Sequence, residues 1–254
     1  MNEPRRPLNA LLVCGGKFHD FDFARVELLK LLGENPEVRT RVAEDYSNLA
    51  ALREADFLVT YTCDVRPSAA EQQALADFVG AGGRWLALHG TNSLLEMTRE
   101  GVASPRTHPL LMETLGSQFV AHPPVGRFRV RVSRPEHPLV AGIADFEVED
   151  ELYLCEYHGR NEALLEARFT GEVAGFVEKS WLDDAPRLVM YLRRVGRGEV
   201  VYNTLGHCRG PYDMRPLVDV YPRVERCAWN EPVFYELLRR GIAWMARPHE
   251  SSAA

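Results

Sequence analysis

Apolar and polar positions fall into alternating blocks along the first hundred residues. Leu8–Cys14 is apolar apart from Asn9 near its start, the pattern of a strand covered on both faces. Phe21–Leu32 then has helical spacing, with Asp22 the expected N-cap and Gly33 the stop. Val38–Ala43 reads as a weaker strand and Asp56–Tyr61 as a second buried one. Ser68-Ala-Ala-Glu71 has the spacing of a capping box. The stripe Leu75, Phe78 and Val79 follows it to a stop at Gly80, and Arg84–Leu88 is the next strand. This alternation predicts a parallel sheet wound on both faces. Right-handed crossovers place the strands' carboxyl ends on one edge, where such sheets bind ligands.

After about residue 120 the period changes to two. Phe128, Val130 and Val132 alternate with Arg127, Arg129 and Arg131, which predicts a strand with one wet face. Phe146–Val148, Val173–Val177 and Leu188–Leu192 are read the same way. Val195-Gly-Arg-Gly198 is a turn into the strand Glu199–Asn203. A last helix is expected from near Asn230, with Pro232 in its first turn, through Phe234, Leu237, Leu238, Ile242 and Met245. The expectation is an α/β domain with an antiparallel extension, one unit over residues 1–247, and a flexible tail over 248–254.

The chain has 254 residues, 46% hydrophobic and 26% charged, with a formal charge of −6. That is an ordinary globular composition. No stretch approaches the roughly 20 apolar residues that span a bilayer, and no apolar signal core follows the start, so a cytoplasmic protein without a membrane partner is expected. Five cysteines with no Cys-x-x-Cys give neither a disulfide framework nor a zinc ribbon. The arginines are balanced by 36 acids, against the basic face of a nucleic-acid binder. Gly80-Ala-Gly-Gly83 lies on the wrong edge for a phosphate loop, and Gly15-Gly16 lacks both nucleotide patterns. No nucleotide cofactor is expected. Oligomeric state, a homo-oligomer included, is left open.

Three histidines share a topological position. His19 follows the first strand, His89 ends Arg84–Leu88, and His207 follows Glu199–Asn203. A lone histidine after a strand is usually structural, but three at one edge point to a pocket. They can act as general acids and bases. As neutral imidazoles they can also hold a divalent ion such as Zn²⁺ with a position open for substrate. Their spacing matches no compact metal motif, so both readings stand. Asp150-Glu151-Leu-Tyr153 is acidic enough to be a solvated face; the functional reading turns a carboxylate inward and uses Tyr153 on a ligand. His122 and His137 precede prolines, which favours extended or turn backbone; His137 is read as structural. Cys63 after a strand is a candidate nucleophile only if a base or positive field lies near it.

Six motifs occur in order: Phe18-His-Asp20, Gly82-Gly-Arg-Trp-Leu-Ala-Leu-His-Gly90, Phe119-Val-Ala-His-Pro123, His137-Pro-Leu-Val-Ala-Gly142, Asp150-Glu-Leu-Tyr153 and Gly196-Arg-Gly-Glu-Val-Val-Tyr-Asn-Thr-Leu-Gly-His207. As a set, over about residues 8–246, they resemble the ThuA-like proteins, named for trehalose utilisation. The resemblance implies a class I glutamine amidotransferase-like fold, a flavodoxin-like doubly wound and mostly parallel sheet. True amidotransferases carry a cysteine nucleophile where this chain has His89, so no glutaminase activity is expected. The resemblance also implies chemistry on sugars or keto sugars. It favours His19, His89, Asp150, Glu151 and His207 as the catalytic set, with His122 and Tyr153 on the substrate and the three strand-end histidines as metal ligands. The segment Cys208–Trp229, with Tyr212, Asp213, Arg215 and Tyr221, departs from the family and is placed to cover the pocket. A non-catalytic ligand-binding domain on the same scaffold is the alternative, and a Cys63-dependent hydrolase a third.

Overall fold

The computed structural model describes residues 6–215 and 222–248; Tyr221 and the tail expected over 248–254, apart from Pro248, lie outside them. Four strands, β1 (Leu8–Gly16), β2 (Val38–Ala43), β3 (Phe57–Cys63) and β4 (Arg84–Leu88), run parallel in the order β2-β1-β3-β4. The strand Gly198–Asn203 adds in parallel beside β4. Arg187–Val195, Glu162–Ala167, Gly126–Val132 and Phe146–Asp150 then continue the sheet antiparallel, for nine strands in all.

Helices cover both faces. α1 (Phe21–Gly33) lies on one side, and α2 (Leu49–Glu54), α3 (Ala69–Gly80) and α4 (Pro109–Leu115) lie on the other. The closing helix α5 (Pro232–Ala246) returns to the α1 side, with Phe234, Leu237 and Leu238 buried beside Leu28 and Leu32. This explains why β1 and β3 carry near-continuous apolar runs: neither face meets water. The fold is the expected mixed α/β one. Among the described residues no helix is long and apolar enough to cross a membrane.

Local differences have local causes. The N-cap of α1 is Asp20, whose carboxylate accepts from the Phe23 amide at 3.0 Å; Asp22 is inside the first turn. The capping box of Ser68 and Glu71 forms in full. No strand forms over Val173–Val177. Gly171–Glu172 pairs with Ser180–Trp181, and the chain turns at Gly175 with φ 87°. α2 and α4, with six and seven residues, are too short to give a periodic signal.

The edge at the carboxyl ends of the strands is tight. Gly16 has φ +125°, and a Cβ there would stand 2.0 Å from the Cys63 carbonyl oxygen. The glycine pair after β1 therefore serves close backbone packing. Gly16→Ala is expected to destabilise the fold by about 3 kcal/mol or more. Gly33→Ala, where a Cβ meets nothing within 4 Å, should change stability by less than about 1 kcal/mol. Urea unfolding of both checks this; equal effects would contradict the close-approach account.

Candidate functional site

The three strand-end histidines meet. Ring centroids are 4.7 Å apart for His19–His89, 5.2 Å for His19–His207 and 5.7 Å for His89–His207. Phe18, with φ 73°, turns the chain so that His19 folds back over β1. His89 has φ 44° as it leaves β4, and Asp64 and Cys227 have φ 54° and 41°. Such backbone costs about 1–3 kcal/mol at a non-glycine residue and persists only where surrounding structure enforces it. Glu151 completes the group. One ligand atom from each of His19, His89, Glu151 and His207 lies within 4.8 Å of the others, and all four residues are buried.

The hydrogen bonds define which ring nitrogens face inward. His89 donates from Nδ1 to the Thr204 carbonyl at 2.8 Å, and His19 from Nδ1 to the Lys17 carbonyl at 3.2 Å. His207 Nε2 is 2.8 Å from a Glu225 carboxylate oxygen. The carbonyl acceptors hold the outer protons of His19 and His89, so the inner nitrogens of those two rings present lone pairs. His19 Nε2 and His89 Nε2 then face each other at 2.9 Å. Glu151 lies 3.5 Å from His89 Nε2 and 3.2 Å from His207 Nδ1. The Tyr153 hydroxyl, 3.1 Å from His89 Nε2, supplies a donor, and the Arg209 guanidinium lies 3.7 Å from Glu151.

Electrostatics follow the same geometry. Burial, reinforced by repulsion from His89 and His207, holds the His19 pKa well below 6.5. Burial would also lower His207, but Glu151 and Glu225 outweigh it and carry it up to about 9. Burial opposes ionisation of Glu151, yet His122 and His207 overcome it and hold its pKa well below the usual value.

Asp150 is not brought into this group. Its two carboxylate oxygens accept the backbone N–H groups of Glu151, Gly206, His207 and Ala228 at 2.7–3.2 Å. Burial pushes its pKa up, against the pull of His89, His207 and those amides. It therefore ties three chain segments together and sets Glu151 and His207 in place, where direct catalysis was expected of it.

A cavity of about 500 Å³ opens beside the cluster, with His19, Glu151, Tyr153 and His122 in its wall. The antiparallel pair of Ser117–Ala121 with Leu154–Tyr157 carries Phe119 and places His122 and Tyr153 at its ends. His122 Nε2 is 3.4 Å from Glu151. Cys63 also lines the cavity, but burial and the nearby Glu151 and Asp64 push its thiol well above the ordinary pKa. A thiolate nucleophile is thus disfavoured.

Arg209 and Glu225 escaped sequence reasoning. Their backbones bridge with N–H···O contacts of 3.0 and 2.8 Å. Glu225 then meets both His207 and Arg209, whose guanidinium is 3.1 Å away. Nothing in the sequence pairs positions sixteen apart across an irregular segment. From the segment 208–229, Arg209, Met214 and Glu225 reach the cavity wall. Tyr212 is two-thirds exposed.

The donor set fits a divalent ion. Metal-bound histidines give their second N–H to a carbonyl or carboxylate, as all three do here. Ligands about 2.0–2.2 Å from a tetrahedral zinc lie about 3.3–3.6 Å apart. The widest separation here, 4.8 Å, has to close by about an ångström, a side-chain adjustment on binding. The opposed lone pairs of His19 and His89, with the buried Glu151 carboxylate beside them, are the features a cation resolves.

Comparison with known proteins gives one family. The family model described as trehalose utilisation, ThuA, matches residues 9–221. A ThuA-like protein from Bacteroides uniformis has a TM-score of 0.66 at 16% identity, covering 96% of this chain and 94% of its own. One from Parabacteroides merdae has a TM-score of 0.63 at 15% identity, covering 94% and 90%. A cytoplasmic protein from Salmonella typhimurium LT2 has a TM-score of 0.55 at 12% identity, covering 94% and 100%. These likenesses support the fold. No curated protein matches the chain.

Asp150→Asn sets an amide N–H₂ against backbone N–H groups and removes about two of the four bonds. It should cost about 2–4 kcal/mol of stability and weaken zinc binding about 10–100-fold through Glu151 and His207. Denaturant unfolding and zinc calorimetry check this. A variant with wild-type stability would show that the carboxylate is not the tie described.

Proposed function

The chain belongs to the trehalose-utilisation (ThuA) family, whose match spans most of its length, and on that footing we propose that it is an enzyme of carbohydrate metabolism. Its substrate is a sugar or keto sugar held in the cavity beside a divalent ion bound by His19, His89, Glu151 and His207. The observation that carries this reading is the convergence of three inward ring nitrogens and a buried carboxylate, each histidine anchored by an acceptor on its far side. The ion supplies Lewis-acid polarisation of a sugar oxygen or carbonyl, or a bound water of lowered pKa.

The surrounding residues have separate tasks. Tyr153 lies in the cavity wall with its hydroxyl 3.1 Å from His89 Nε2. With that lone pair given to the ion, the hydroxyl turns to orient a substrate oxygen. His122 is half-buried, faces Glu151 and donates from Nδ1 to the Pro123 carbonyl. It can move a proton at Nε2 beside the bound sugar. Arg209 and Glu225 close the wall opposite and keep His207 oriented. Glutaminase chemistry is not supported, because His89 occupies the turn after β4 and an imidazole there cannot form the thioester a cysteine would. The protein is expected in the cytoplasm.

Zinc restored to chelator-stripped protein should raise its melting midpoint by several degrees. A hundredfold excess over the dissociation constant is worth about 2.7 kcal/mol. His89→Ala should abolish the response. Because His207 keeps its proton up to about 9 without the ion, binding displaces about one proton. Zinc affinity should then rise roughly tenfold per pH unit between about pH 6.5 and 8.5. Calorimetry in buffers of different ionisation enthalpy reads that proton directly. An identical zinc response in wild type and His89→Ala, or an affinity independent of pH, would remove the metal from the proposal.

A further inference from the structure

The cavity has two chemically different ends. Its charged and imidazole groups, His19, His122, Glu151, Arg209 and Glu225, belong to the cluster or touch it, and Tyr153, Ser93 and Cys63 line the same inner end, Ser93 against Tyr153. The outer wall comes from three separate segments. The hairpin of Glu96–Met97 with Val102–Ala103 contributes Met97 and Val102. The turn between Gly171–Glu172 and Ser180–Trp181 contributes Ala174, Gly175 and Phe176. Pro124 and Val125 come from the connection before Gly126–Val132. Not one polar side chain enters from these segments among the described residues.

The two hairpins are fastened to each other. Val102 donates to the Gly175 carbonyl at 2.8 Å, and Val177 donates to the Val102 carbonyl at 3.0 Å. The apolar wall is therefore built by backbone bonds between distant segments. Aromatic rings lead inward from it. Phe176 meets His122 edge-on at 5.0 Å and Phe119 at 5.9 Å. Phe119 meets Tyr153 at 4.6 Å, and Tyr153 meets His89 at 4.7 Å. Met97, 61% exposed, is left at the rim.

We infer that the cavity takes a glycoside whose sugar faces the histidine cluster and whose other part is a flat apolar group, an aryl aglycone. This rests on the sugar-binding reading above and narrows it. A second hexose ring in the outer half would bring several hydroxyls against Met97, Val102, Val125 and Phe176. Buried hydroxyls without partners are unfavourable. An aryl ring in the same place gains apolar burial and edge or offset contacts with Phe176, Phe119 and His122. Trehalose, hydroxylated on both rings, is thus a poor fit.

Calorimetric titration of the zinc-loaded protein with 4-nitrophenyl glucoside, methyl glucoside and trehalose, using both anomers of the first two, tests this. The nitrophenyl compound is expected to bind about tenfold or more tighter than either of the others. Phe176→Ala should bring its advantage over methyl glucoside close to one. Met97→Ser, at an exposed position, should reduce that advantage severalfold and keeps the test open if Phe176→Ala does not fold. Trehalose or methyl glucoside binding as tightly as the nitrophenyl glucoside would overturn the inference, as would no binding of the nitrophenyl glucoside at millimolar concentration. Repeating the titrations on metal-free protein separates the two readings. Loss of the zinc dependence alone counts against the metal, and loss of the aryl preference alone counts against this inference.

Discussion

Buried groups that accept hydrogen bonds cannot be left facing one another. Here His19 and His89 point ring nitrogens at each other across 2.9 Å, and Glu151 lies beside them, 3.2 Å from His207 Nδ1. In a low-dielectric interior such opposed lone pairs and an anion are unfavourable unless a cation is shared among them. Much of the nearby architecture holds that arrangement in place. Four non-glycine residues take left-handed backbone at the ends of strands or in turns around it. Asp150 uses both carboxylate oxygens on backbone amides that fix Glu151 and His207. The strain and the buried carboxylate are understandable as the means of keeping four ligands from relaxing apart.

The sheet converts chain order into this geometry. Parallel pairing brings the carboxyl ends of β1, β3, β4 and Gly198–Asn203 to one edge. The register that pairs Leu88 with Asn203 also puts the Thr204 carbonyl beside His89, where it fixes the ring. In the amidotransferase pattern the residue after β4 is a thiol on a strained turn. Here the same strained turn presents an imidazole, and the nearby Cys63 is kept as a thiol by burial.

The sequence made the parallel half legible because two-sided burial writes itself as near-continuous apolar runs. The three histidines were legible for a related reason: each follows a sheet strand within four residues, so topology put them on one edge. Glu151 was visible only as part of an acidic stretch, since the inward turn depends on Asp150 being spent on four amides. Arg209 and Glu225 left no trace, because their pairing is made across an irregular excursion. The expected strand over Val173–Val177 failed for the opposite reason. The stretch Val173-Ala-Gly-Phe-Val177 is apolar throughout, but Gly175 turns the chain and gives Phe176 to the cavity wall. Short helices such as Leu49–Glu54 span too few turns for periodicity to register.

Zinc-edge X-ray absorption of the stoichiometrically loaded protein tests the central claim most directly. The account predicts about four nitrogen or oxygen neighbours at about 2.0–2.1 Å, with the outer-shell scattering of three imidazoles. A sulfur neighbour at about 2.3 Å, or a shell of oxygens without imidazole scattering, would contradict it.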